Sequence, residues 1–180
     1  MIGKNLISLQ PSYINRTMRE ISDAIQTKCL AFGDRIIKLN DFLLVQAASR
    51  KSEGRSQKED TRRGRTLTSS VLPLTSRVPV HLQSVAALAN QLLRSGTSIG
   101  ANNAEATSAI SRADYKSKSY IALKEARESL YWIELLHRNK NIDDRQYESL
   151  HEDSEELVKI FVSRCKKLDE DSNRGKNSEN

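Results

Sequence analysis

Nine apolar residues of the N-terminal quarter, Ile14, Met18, Ile21, Ile25, Cys29, Phe32, Ile36, Leu39 and Leu43, follow one another at steps of 4, 3, 4, 4, 3, 4, 3 and 4. Only an α-helix returns side chains to one face at that period, and no proline interrupts the run. The pattern predicts a first helix over about 12–45. A helix of that length in water must lay its stripe against other helices, because packing rather than propensity supplies most helical stability. Gly33 is its weak point, costing about 1 kcal/mol relative to alanine.

Three further helices are predicted, over about 79–110, 112–139 and 143–168. Pro79 suits a first turn, and the stripe that follows is Val85, Ala89, Leu92, Gly96, Ile99, Asn103, Ala106 and Ile110. Its centre, Ser95 to Ala101, is poor in helix formers and makes sense where a neighbouring helix approaches closely. A phosphate loop is excluded there, because the Gly-Lys-Ser/Thr ending is missing. Asn103 occupies a seam position, where an unpaired amide costs roughly 1–3 kcal/mol, so a partner is required. Ser111 with Asp114 forms a variant capping box for the third helix, and Asp143 with Gln146 opens the fourth. The fourth stripe is Tyr147, Leu150, Ser154, Leu157, Phe161, Cys165 or Arg164, and Leu168, with acids early and bases late, as the helix macrodipole favours. The expectation is all-α: one antiparallel up-down four-helix bundle within 1–168, followed by a disordered tail over 169–180.

Between the first two helices, about 46–78, the periodicity stops. Residues 50–65 contain no apolar side chain and hold seven cations (Arg50, Lys51, Arg55, Lys58, Arg62, Arg63, Arg65) against three anions. That excess of four accounts for most of the net charge of +6. A high overall charge is therefore weak evidence about the folded part. The segment is expected to be a disordered basic insertion, far longer than the usual ~2–8 residue connection in a bundle.

No run approaches the ~18 apolar residues of a membrane span, and the N-terminus lacks the apolar core of a secretory signal. The two cysteines, Cys29 and Cys165, fall on predicted stripes and read as small buried thiols, consistent with a cytoplasmic protein. The three histidines, His81, His137 and His151, are dispersed, with none beside a nucleophile or acid pair. Glu148 and His151 imitate half of a di-metal motif, but no second copy exists. Neither catalysis, a metal, a cofactor nor a small-molecule substrate is expected.

The third helix resolves into three faces at 100° per residue. Ser119, Leu123, Ala126, Leu130, Ile133 and His137 form the core face. Ile121, Trp132 and Leu135 lie roughly opposite, and a second apolar stripe suggests a further interface, with the 46–78 loop or, the favoured reading, with other subunits of an oligomer. The third face carries Lys116, Tyr120, Lys124, Arg127, Tyr131 and Arg138, with Glu134 as its acid. Cations interleaved with tyrosines suit nucleic acid, since ammonium and guanidinium groups neutralise phosphates and rings stack on unpaired bases. The plainer reading is a solvated face with i,i+4 ion pairs, and Glu134–Arg138 has that spacing. Arg55, Arg62, Arg63 and Arg65 of the insertion are the other candidate nucleic-acid contacts.

Residues Gln91 to Leu136, QLLRSGTSIGANNAEATSAISRADYKSKSYIALKEARESLYWIELL, resemble the intervening-sequence proteins of bacterial large-subunit (23S) rRNA genes. Through them the chain also resembles the accessory variability determinant of diversity-generating retroelements. Asn103 departs from that pattern, which usually has an apolar residue there, and 46–78 resembles an insertion. The resemblance implies a four-helix bundle assembling into ring-like homopentamers. It further implies a non-enzymatic role with RNA, either rRNA or retroelement RNA with its reverse transcriptase. A protein-interaction scaffold that binds no nucleic acid directly is the alternative.

Overall fold

The structure, a computed structural model, describes residues 11–56 and 80–177. Four helices account for them: α1 (Pro11–Ser56), α2 (Val80–Thr107), α3 (Arg112–Arg138) and α4 (Asp144–Asn177). Each packs on its sequence neighbour, and α4 closes the ring against α1. All four seams run antiparallel. Gln26 meets Gly100 while Ile36 meets Gly96; Ser95 meets Ser129; Ser154 meets Ala126; Lys28 meets Glu156 while Arg35 meets Ser149. This is the expected up-down bundle.

The predicted stripes converge on one core, with Phe32, Ile36, Leu43, Leu92, Ile99, Ile133, Leu136, Leu157 and Phe161 almost wholly buried, whereas Ile21, assigned to the first stripe, is 51% exposed. Both cysteines are free and buried inside it. Burial pushes the Cys29 thiol up to about 11 despite the nearby Arg164 charge, so it stays protonated and unreactive at neutral pH.

The small residues of α2 act as a close-packing device. A Cβ on Gly96 would stand 3.0 Å from the Cγ1 of Ile36, and one on Gly100 would stand 3.3 Å from the Cβ of Cys29. On its other side, α2 brings buried Ser95 to Ser129 of α3, whose hydroxyl donates to Ser95 Oγ at 3.0 Å. Ser154 of α4 donates to the Ala126 carbonyl. Short hydroxyl side chains thus let three helices approach while their polar atoms remain paired. Among the described residues, no buried side-chain nitrogen or oxygen lacks a hydrogen-bond partner.

Both predicted start signals form. Asp114 N–H donates to Ser111 Oγ at 3.1 Å, and the Asp114 carboxylate accepts from Ile110 N–H at 3.3 Å. At α4 the exchange is fully reciprocal: Gln146 N–H donates to Asp143 Oδ1 at 2.7 Å, and Asp143 N–H donates to Gln146 Oε1 at 3.0 Å. Lys140, between these helices, takes a positive φ of 56° in the turn.

Three boundaries differ from expectation. α1 continues to Ser56 instead of stopping near Val45. Loss of apolar period does not end a helix already nucleated, and Gln46, Ala47, Ala48, Arg50 and Lys51 all propagate one well. Ala47 is buried, so packing also reaches past the expected end. The expected disordered insertion is therefore helical up to Ser56; its remainder, 57–78, lies outside the described residues, as does position 79. α2 stops at Thr107, where Ser108 and Ala109 N–H groups turn back onto the Glu105 and Ala106 carbonyls. Ile110, assigned to the buried stripe, is instead 96% exposed in the turn. Finally, α4 runs on to Asn177 where a disordered tail was expected from Asp169. Its acids find cations at the start of α3: Asp169 with Lys116 at 2.7 Å and Asp171 with Arg112 at 2.8 Å.

Candidate nucleic-acid interface

The outward side of α3, alongside α4, carries all six cations and tyrosines singled out in the sequence. The structure sorts them by whether α4 or α3 itself supplies an acid. At the N-terminal end Asp169 takes two of them. Lys116 Nζ lies 2.7 Å from its Oδ1, and the Tyr120 hydroxyl donates to its Oδ2 at 2.5 Å. That hydrogen bond pushes the Tyr120 hydroxyl up to about 12, and Lys116 and Tyr120 together hold Asp169 below the usual carboxylate range. At the C-terminal end Arg138 Nε donates to Glu134 at 2.6 Å, and Tyr147 of α4 donates to the other carboxylate oxygen at 2.7 Å. Glu134 is accordingly held low, by Arg138 first and Tyr147 second.

The middle of the face stays open. Lys124 and Arg127 are exposed, and among the described residues neither forms an ion pair. Tyr131 beside them is 59% exposed, its ring edge set against Trp132 with centroids 4.8 Å apart. The six-residue face contracts to a three-residue centre, Lys124, Arg127 and Tyr131, with partnered groups at both ends.

The other candidate residues fall elsewhere. Arg55 belongs to the last turn of α1, and Arg62, Arg63 and Arg65 lie outside the described residues. Ile121, Trp132 and Leu135, the expected oligomer contact, are half-buried. Trp132 packs on the core and its indole N–H donates to Glu128 at 2.9 Å. The large exposed apolar side chains instead concentrate on α1, where Leu30, Ile37 and Leu44 are 59%, 44% and 42% exposed at seven-residue spacing. That spacing lines them up along one exposed face of α1, away from the core.

Asp169 escaped sequence reasoning because the tail was read as unstructured. Extending the antiparallel α3–α4 register from Ser154–Ala126 would have found it, since that register carries Asp169 to the first turns of α3. Replacing Asp169 with asparagine is expected to return the Tyr120 hydroxyl toward its ordinary value near 10, read by ultraviolet titration of tyrosinate. In the native protein the Tyr120–Asp169 contribution is present below pH ~10 and lost as pH rises through about 12. An unchanged titration in the variant would break the link between the tail helix and this face.

His137 stacks on Tyr147, with centroids 4.1 Å apart, and its Nε2 lies 2.8 Å from Asp144 Oδ1. His137 and Asp144 line an open cavity of about 810 Å³ at the α3–α4 corner, with Phe42 of α1 in its wall. Among the described residues, no group of three or more His, Cys, Asp or Glu side chains is placed to hold a metal ion. No helix among them is long and apolar enough to cross a membrane.

An all-α bundle with close-packed small residues and a basic, tyrosine-bearing face defines the class. Residues 59–163 match the family described as 23S rRNA-intervening sequence protein, and the chain belongs to it. A solved structure of a protein with unknown function from the S23 ribosomal protein family of Bacteroides thetaiotaomicron VPI-5482 is similar. It shares 36% sequence identity at a TM-score of 0.56, over 81% of this chain and 97% of that one. A comparison with curated proteins finds no match.

Proposed function

We propose that this chain is a non-catalytic bundle that associates with RNA, with Lys124, Arg127 and Tyr131 contacting the sugar–phosphate backbone. The observation that carries the reading is the open centre of the α3 face. Two cations without carboxylate partners flank an exposed ring, in a face whose other cations are neutralised. Unpaired cations gain most from phosphate, because no existing ion pair must be broken. Membership of a family named for intervening sequences of 23S rRNA makes rRNA the natural first partner to test.

Copies of the chain assemble, in this reading, through the Leu30–Ile37–Leu44 stripe of α1. The stripe is flanked by Asp34, Lys38 and Asp41, so a second copy lying antiparallel offers charges of both signs as well as apolar area. Assembly repeats the small α3 site and multiplies a field that two cations alone make modest.

Gel shifts with 23S rRNA fragments between ~50 and 200 mM salt test both parts. Two phosphate contacts per subunit on single-stranded RNA give a log–log salt slope of roughly −1.4 for one bound subunit, and a multiple of that for an assembly. Light scattering should report more than the 20.3 kDa monomer, and Ile37→Lys should return the monomer and lower the slope together. Absence of any shift at low salt overturns the RNA reading. A native monomer overturns the assembly.

A further inference from the structure

At the end of the bundle near the α2–α3 turn, Arg164 of α4 stands between two cavities, about 470 Å³ and 520 Å³, and lines both. Its NH1 donates to Asn103 Oδ1 at 2.7 Å. Asn103 is fully buried and is held in turn by Gln26, whose Oε1 accepts from its amide at 2.6 Å. The guanidinium lies 5.0 Å from the Phe161 ring centroid and 5.7 Å from that of Tyr115. A buried amide and two rings therefore fix its position.

What it lacks is a counter-ion. Among the described residues no carboxylate lies within ion-pair distance of Arg164, and one hydrogen bond occupies one of its five N–H donors. The acids nearby are already taken: Asp171 by Arg112 at 2.8 Å and Glu156 by Lys28 at 2.9 Å. Lys167, one turn on and on the same side of α4, also lines both cavities and forms no ion pair among the described residues. Tyr115 borders both as well, and among the described residues its hydroxyl forms no hydrogen bond. A held guanidinium, an ammonium and a phenol hydroxyl thus border both cavities, whose own acids, Asp171 in one and Glu156 in the other, are each paired with another cation.

We propose that Arg164, Lys167 and Tyr115 form a binding site for a phosphate monoester. The planar guanidinium fork engages two phosphate oxygens, the ammonium adds a second charge, and the hydroxyl donates to a third oxygen. Cavities of this size accept a ligand of nucleotide dimensions, with Ile25 and Ile160 offering apolar wall beside the charged groups. The site is separate from the α3 centre, so each stands or falls alone. The monoester is either a free nucleotide or the terminal phosphate of an RNA strand, since the chemistry presented to the protein is the same.

Calorimetric titration of the full chain with inorganic phosphate, AMP, and a short oligoribonucleotide with and without a 5′-phosphate tests the site. Saturable binding of AMP and phosphate is expected, weakened about tenfold by Lys167→Gln, an exposed change that leaves the core untouched. Asn103→Asp sets a carboxylate against Arg164 without changing its shape and should abolish binding, with thermal melting confirming the fold. Lys118→Gln, a residue already paired with Glu105 and outside both cavities, should bind as the native chain does. A 5′-phosphorylated strand binding more tightly than both AMP and its unphosphorylated form assigns the source to strand ends; AMP binding as well or better assigns it to free nucleotide. No saturable binding of phosphate or AMP below about 10 mM, or native affinity in Lys167→Gln, overturns the proposal.

Discussion

Gly96→Val is expected to lower the unfolding free energy by about 3 kcal/mol, the upper end of what an overfilled core costs. The first added carbon already meets Ile36 Cγ1 at 3.0 Å, and Ile36 is wholly buried with no room to turn aside. The branch methyls of valine crowd the Ile36 side chain further, and either the helices separate or side chains leave their rotamers. For a protein of this length that loss corresponds to a fall in the thermal midpoint of roughly 6–12 °C. Gly33→Ala is the matched control. Its new Cβ meets nothing within 4 Å, so the variant should gain up to about 1 kcal/mol from helix propensity. Thermal melts of the two variants beside the parent decide the matter. Equal tolerance at both positions would mean that the α1–α2 contact is looser than the distances imply.

Neutralising Lys124 and Arg127 together, each to glutamine, is expected to weaken RNA binding at ~50 mM salt by at least tenfold. The same pair of changes at Lys116 and Arg138 should cost no more than about twofold, because their charges are already spent on Asp169 and Glu134. The contrast matters more than either number, since all four residues are basic and share one helix face. Uniform losses across the two double variants would indicate a diffuse field rather than a defined centre. A loss confined to Lys116 and Arg138 would place the contact at the ends of α3.

The bundle was legible because its information is local and periodic. Stripe residues such as Phe32, Ile99, Ile133 and Phe161 declare a helix face without reference to any partner, and Ser111 and Asp143 declare helix starts within four residues. Even the unusual composition of Ser95 to Ala101 was readable as close packing, since few other arrangements tolerate it in a helix. What could not be read depended on which helix lies opposite. The partners of Asn103 come from α1 and α4, at Gln26 and Arg164, and neither is near it in sequence. Whether Lys116 is free or neutralised depends on Asp169, more than fifty residues away and in a segment whose own composition argued for disorder. Helix ends were misread wherever apolar period was taken as the condition for helix: polar residues that propagate well, or that meet opposite charges, carried α1 and α4 further. The second apolar stripe of α3 was real as a pattern, but Trp132 spends part of it on the bundle itself.

The α1–α4 seam is the lightest of the four, and long polar side chains bridge it: Lys28 to Glu156, and Arg35 to Asp153 and Ser149. The connections from α2 to α3 and from α3 to α4 span four and five residues, whereas 23 residues separate α1 from α2. Loop closure is cheap for the first two and dearer for the last, and ion bridges across a wet seam add little to offset it. Short turns let α2, α3 and α4 pair at low contact order, whereas α1 reaches α2 only by closing the longer loop. The helix that bears the exposed Leu30–Ile37–Leu44 stripe is thus anchored chiefly through α2, and the ring it completes is weakest along its seam with α4.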